Sequence, residues 1–219
     1  YTKAGPEIAV ASTKAYIAQV VLLDIFAIYL AMQRGTCEKS TLEGLIEEMK
    51  LLPMKVQEVL ENDSEYIMYA KKIVNDRDVY FLGRGLDYYI ALEAALKLKE
   101  ISYIHSDALQ FGELKHGPIA LIEEGTHAIA FCTSKKLLDK SISNIKEIKA
   151  RGAEVMVVTT IADLPKDIYD DIIVLPSVNE FLAPIVAIIP MQLLAYHVTV
   201  MKNLDVDKPR NLAKSVTVE

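Results

Sequence analysis

The chain has no tryptophan, two cysteines and four histidines in 219 residues. Cys37 and Cys132 stand far apart with no Cys-x-x-Cys spacing. That excludes a disulfide framework and fits two reduced thiols in a cytoplasmic protein. A basic excess is also lacking: 24 Lys and Arg against 30 Asp and Glu give a net charge of −6. A nucleic-acid surface would need a basic patch, so no nucleic-acid partner is expected. There is no Walker loop and no Gly-x-Gly-x-x-Gly, and Gly83-Arg84-Gly85 is too short for a dinucleotide fingerprint. His105, Asp107, Glu113 and His116 match no tight ligand spacing. Neither a cofactor nor a metal is expected. No signal peptide is visible, and the opening Tyr1-Thr2-Lys3, without a Met, is what a piece excised from a longer protein would show.

What is present is apolar and periodic. At 52% apolar and 25% charged the chain can bury a full core, and its length fits one large domain or one domain with an appended part. Residues 1–11 are irregular. A nearly all-apolar helix is expected over Thr13–Arg34, with Ser12 or Thr13 as N-cap. Gln19 and Asp24 interrupt it, so a buried core or interface helix is expected and a membrane span is not. Thr41–Leu51 reads as a shorter helix broken by Pro53, followed by helices at Met54–Glu61 and Ser64–Asn75. Strands are expected at Val79–Leu82, His127–Phe131, Glu154–Thr159 and Asp171–Leu175, with a fifth around Asp107–Gln110. Helices are expected at Tyr88–Tyr103, Lys135–Ala150 and Phe181–Met201, the last kinked at Pro190. Strands alternating with helices imply a doubly wound three-layer α-β-α sandwich on a five-stranded parallel sheet. The division expected is a linker and helical lead-in over 1–75, a domain core over 76–203 and a C-terminal tail over 204–219. The tail mixes Asp205, Asp207, Lys208, Arg210 and Lys214 with Val206, Leu212, Ala213 and Val216, a spacing that suits docking.

The chemistry gathers around Asp78–Pro118. Ligands of open parallel sheets lie where strands end and helices begin, so the Gly83-Arg84-Gly85 turn is the first place to look. The following helix carries Glu93, Lys97 and Glu100 on one side at spacings of four and three. The loop beyond ends in Gly112-Glu113-Leu114-Lys115-His116-Gly117-Pro118. Carboxylate, amine and imidazole together suit proton transfer near neutral pH. The plain alternatives stand beside this reading. A Glu next to a Lys on a surface helix is ordinarily a salt bridge worth a few tenths of a kcal/mol. A loop histidine is often incidental. Ser12 and Thr13 at a helix start bind an anion or simply cap.

Four segments carry a resemblance: AGPEIAVASTKAY, FLGRGLDYYIALEAALKLKEISYIH, GELKHGPIALI and DKPRNLAKSVTVE. In this order they resemble the isomerase half of the glucosamine-6-phosphate synthase family, the glutamine–fructose-6-phosphate aminotransferases. More narrowly, they resemble the second of its two sugar-isomerase (SIS) domains. The resemblance implies an upstream glutaminase domain that releases ammonia and an upstream first SIS domain that holds the main phosphate-binding loop. It implies conversion of fructose 6-phosphate and ammonia to glucosamine 6-phosphate for amino-sugar synthesis, within a homodimer and without a membrane. It implies that Glu100 carries the proton between C1 and C2, and that Lys97 sets its charge. His116 would assist ring opening from the neighbouring subunit, and Lys214 would form a Schiff base with the open ketose. Val10 and Ala213 would touch the sugar through their backbones, with Ser12 in the same loop. A sugar-amine deglycase and a non-catalytic sugar-phosphate-binding SIS module are the alternatives; the lysine-bearing tail argues against the first.

Overall fold

A computed structural model describes residues 1–215. Val216, counted above among the tail's apolar residues, lies outside the described residues with 217–219. Seven-residue-spaced apolar positions and short β-branched runs set the elements. Three helices come first: α1 (Lys14–Arg34), α2 (Lys39–Glu61) and α3 (Asp63–Ile73). Then β1 (Asp78–Gly83), α4 (Leu86–Ser102), β2 (His105–Gln110), β3 (His127–Cys132), α5 (Leu138–Lys149), β4 (Glu154–Thr159), β5 (Asp171–Val174) and α6 (Ala183–Met201) follow. All strands pair in parallel, in the order β2-β1-β3-β4-β5.

Alternation along the strands builds the two cores. Val79, Phe81, Ile129, Phe131 and Val158 face the layer of α3, α4 and α6. Tyr80, Leu82, Ala128, Ala130 and Val157 face the layer with Ile145 and Ile148 of α5. Near-continuous apolar strands are what a sheet covered on both faces requires. The crossovers from β1 and from β3 run to opposite faces, so the strand order reverses between those two strands.

Three sequence expectations need correction. The Pro53 break does not occur: α2 runs through it. Proline removes one backbone donor and strains the preceding turn, but Leu52 and Val59, seven apart, are both buried and hold both halves on one stripe. Ser12 and Thr13 do not cap α1 through their hydroxyls; both turn back to Glu7. Finally, α1 is no core helix. It has no buried residue, whereas α6, equally apolar, is mostly buried. By length and composition alone, both helices are long and apolar enough to cross a membrane.

The turn after β1 is tight. A methyl at Gly83 would collide with the Asp87 carbonyl and the Tyr88 amide, and Gly85 takes a left-handed φ of 63°. Asp87 is 2% exposed and accepts hydrogen bonds from the Thr133 amide (3.0 Å) and hydroxyl, stitching β1 to β3 at the reversal point. Gly83→Ala is expected to destabilise the fold by about 2–4 kcal/mol, in the range of overpacking and backbone strain. A denaturant midpoint unchanged from the parent would contradict this.

Candidate active site

The candidate site residues fall into two groups, linked through Tyr16 and through Tyr103 with Arg210. The first lies on α4. Residues at spacings of four and three share a helix face, and here that face is largely covered. Lys97 Nζ lies 2.7 Å from Glu100 Oε2 and 3.5 Å from Glu93 Oε1. The side chain of Lys97 is 5% exposed, that of Glu100 20% and that of Glu93 13%. This is no surface salt bridge: one enclosed cation serves two carboxylates. Burial raises the Glu93 pKa, Lys97 draws it back down, and the charge on Glu100 pushes it up again. Tyr16, on the first turn of α1, has its hydroxyl pushed up to about 12 by burial and by the charge on Glu93. The start of α1 therefore lies against this cluster.

The second group joins the N-terminal loop to the C-terminal tail. Glu7, a residue the sequence reading never singled out, is its centre. Its carboxylate accepts from the Ser12 hydroxyl (2.8 Å), the Thr13 amide (2.8 Å), the Thr13 hydroxyl (3.2 Å) and Lys214 Nζ (3.4 Å). Burial opposes the charge on Glu7, but these donors outweigh it and hold the carboxyl at about 2. The anion that Ser12 and Thr13 bind is thus the chain's own. Lys214 also donates to the carbonyls of Ala9 (3.0 Å) and Val10 (3.4 Å). The Val10 amide donates to the Asp207 carbonyl at 2.9 Å. Ala213, beside Lys214, is exposed.

Tyr103 ties the tail to α4. It stands three residues after Glu100 in the left-handed conformation that ends the helix. Its hydroxyl accepts the Arg210 amide at 2.7 Å, and the Arg210 guanidinium lies 4.1 Å from its ring centroid. Such a cation–π contact adds roughly 0.5–1 kcal/mol at an exposed position.

Two expected neighbours are apart. His116 ends a 3-10 turn, Phe111–His116, at the sheet's β2 edge; it is exposed and touches neither group. The Gly83-Arg84-Gly85 turn is not beside Glu100 either. At about 1.5 Å per residue, Glu100 sits roughly 22 Å down α4 from Gly85. A cavity of 320 Å³ does open at the turn, lined by Gly85, Thr133, Ser134, Lys136 and Glu180 among others, but none of the expected site residues lines it. Nor does any line the other cavities described. Among the described residues, no three His, Cys, Asp or Glu side chains converge on a metal position.

The Glu93–Lys97–Glu100 spacing was visible in the sequence. Glu7 carried no signal there, because its nearby donors Ser12 and Thr13 look like ordinary helix caps and its fourth donor, Lys214, arrives from a tail some two hundred residues away. Tyr103 was likewise hidden, since a helix-ending tyrosine looks like any other.

Residues 72–202 match the SIS domain family model. The chain is 53% identical over 220 residues to the glutamine–fructose-6-phosphate aminotransferase [isomerizing] of Clostridium tetani, and 48% identical over 219 residues to that of Thermococcus kodakarensis. All of this chain aligns, but it spans only 36% of either relative. The solved C-terminal domain of glucosamine-fructose-6-phosphate aminotransferase from Francisella tularensis superposes with a TM-score of 0.90 at 40% identity, over 94% of this chain and 59% of that one. A putative tagatose-6-phosphate ketose/aldose isomerase from Clostridium novyi shares the fold, with a TM-score of 0.81 at 18% identity.

A carboxylate whose pKa is lowered in the folded state stabilises fully above its unfolded value and loses that contribution as pH falls. For Glu7 the window runs from about 4.5 down to about 2. The tail contact is expected to hold at pH 7 and to release through that window, while Glu7→Gln releases it at neutral pH. Protease susceptibility around Arg210 and Lys214 reads this; a tail equally protected at pH 7 in parent and variant would contradict it.

Proposed function

The chain belongs to the SIS domain family, and from that premise we propose that it is the C-terminal isomerase part of a glutamine–fructose-6-phosphate aminotransferase. The observation that carries this reading is the enclosed Glu93–Lys97–Glu100 cluster on α4, the helix whose C-cap residue, Tyr103, holds Arg210 of the Lys214-bearing tail. Relatives of 53% and 48% identity bearing that activity in their names support it.

In this reading the substrate is open-chain fructose 6-phosphate, and Lys214 serves the ketose carbonyl at C2. To attack as a free amine, Lys214 must first give up a proton and its hold on Glu7. The Schiff base forms with loss of water, and ammonia then displaces the lysine at C2. Glu100 takes a proton from C1 as the imine nitrogen gains one, leaving an enolamine; it returns its proton to C2 as the C1 hydroxyl loses one, giving the aldehyde form of glucosamine 6-phosphate. One carboxylate can do both because C1 and C2 are adjacent and proton transfer needs hydrogen-bond reach. In this reading Lys97, 2.7 Å from Glu100 Oε2, is the cation that faces Glu100 before it takes the proton, and Glu93, 3.5 Å away, shares that cation once Glu100 is neutral.

Binding energy from a remote phosphate supports orientation at the reacting carbons. We read that anchor, and the ammonia supply, as properties of an upstream SIS domain and an upstream glutaminase on the same polypeptide. The exposure of His116 fits a side chain that serves the partner subunit's site in a cytoplasmic homodimer. On this reading the 219 residues alone turn over little fructose 6-phosphate.

The test is ammonia-dependent conversion of fructose 6-phosphate by the full-length polypeptide. Glu100→Gln is expected to lose about 10²–10⁴ in rate, the usual worth of a general base, and Lys214→Arg to lose turnover with it. Near-parental rates in both variants would make the chain a non-catalytic binding module instead.

A further inference from the structure

Arg84, the middle residue of the glycine turn, reaches across to α5. Its Nη2 donates to Asn144 Oδ1 at 3.1 Å, and Asn144 is buried. Asn144 Nδ2 donates in turn to Glu147 Oε2 at 3.4 Å, three residues along the helix. The other oxygen of Glu147 lies 2.8 Å from Lys115 Nζ. Lys115 is the residue before His116, and both are exposed. A line of polar contacts thus runs from the end of β1, over α5, to the residue beside His116.

Apolar packing supports only the inner side of the loop that carries His116. A 3-10 turn eclipses residues three apart, so Phe111 and Leu114, both 0% exposed, seat that side in the cluster of Leu82, Ile145 and Ile148. Gly112 lies against the Arg84 guanidinium: a Cβ there would stand 3.4 Å from Nη2 and 3.5 Å from Nη1. The outer side, with Lys115 and His116, has no such seat. An isolated exposed ion pair would hold it weakly. Here the acceptor is fixed first, since one oxygen of Glu147 takes Asn144 and the other takes Lys115. Lys115, and Asn144 after it, hold the Glu147 carboxyl below the usual carboxylate range. Hydrogen bonds joined in this way support one another more than separate pairs do.

We propose that Glu147, backed by Asn144 and Arg84, is a positioning residue for His116. It holds the outer side of the Phe111–His116 turn on α5 through Lys115, and so sets where the imidazole stands for the partner subunit's site. The inference rests on the proposed function for what His116 does there. It also gives the glycine turn a role other than ligand binding. The bend that open sheets ordinarily offer to a ligand here presents a guanidinium to a neighbouring helix and loop.

Two measurements on the full-length polypeptide test it. By hydrogen–deuterium exchange, residues 111–117 of Glu147→Gln should exchange at least about tenfold faster than in the parent, with β1 and α4 unchanged. Equal exchange of that segment in both would overturn the inference. Ammonia-dependent turnover of fructose 6-phosphate supplies a double-mutant cycle. Glu147→Gln should lower kcat about tenfold with KM little changed, and less than about twofold when His116→Ala is already present, because residues acting through one group are not additive. Equal losses in both backgrounds would overturn it, since Glu147 would then act elsewhere. A His116→Ala enzyme with parental kcat would sink the use of His116 in the proposed function, and the exchange comparison would then decide by itself whether Glu147 holds the loop.

Discussion

One ammonium group enclosed between two carboxylates orders the functional half of this chain. Moving Lys97 from water to a site 5% exposed is costly, and the cost is met only because Glu93 and Glu100 come to it from the same helix face. Geometry makes the arrangement inexpensive to assemble. Helical spacing places all three groups before any tertiary contact forms, and the Ala- and Leu-rich remainder of α4 binds it to the sheet and to α6. A like-charged carboxylate pair without that cation would be strongly penalised.

The second constraint is topological. Because α4 runs back against the parallel strands, the cluster lies at the far end of the helix from the glycine turn, where open-sheet proteins ordinarily bind ligands. Among the described residues, the cavities at the glycine turn and along α1 and α2 are not lined by the cluster. Its neighbours are instead the two chain segments least tied to the domain core: the loop before α1 and the tail after α6. They meet through Glu7 and Lys214, and Tyr103 with Arg210 ties the tail to α4.

Much of this was legible in residues alone. The five strands, the doubly wound order of elements and the helix carrying the three charged residues followed from period and punctuation, because parallel strands covered on both faces leave a plain apolar signature. Pro53 misled, since a local penalty was set against a stripe of burial that only the folded helix reveals. The glycine turn misled for a different reason: nearness in sequence was taken for nearness in space, although a rigid helix of fifteen residues separates Gly85 from Glu100. Glu7 and Tyr103 were invisible because their roles exist only once distant segments meet. Helix α1 was readable as apolar, but nothing local distinguishes a helix buried in its own domain from one with no buried residue.

The account stands on Lys97 being the charge that makes Glu100 serviceable, and Lys97→Met tests this most directly, because Met keeps the length and removes only the ammonium. In the full-length polypeptide, folded by circular dichroism, kcat for ammonia-dependent formation of glucosamine 6-phosphate should fall by about 10²-fold or more with KM little changed, the pattern of an interaction needed in the transition state. A folded Lys97→Met enzyme with parental kcat would contradict it.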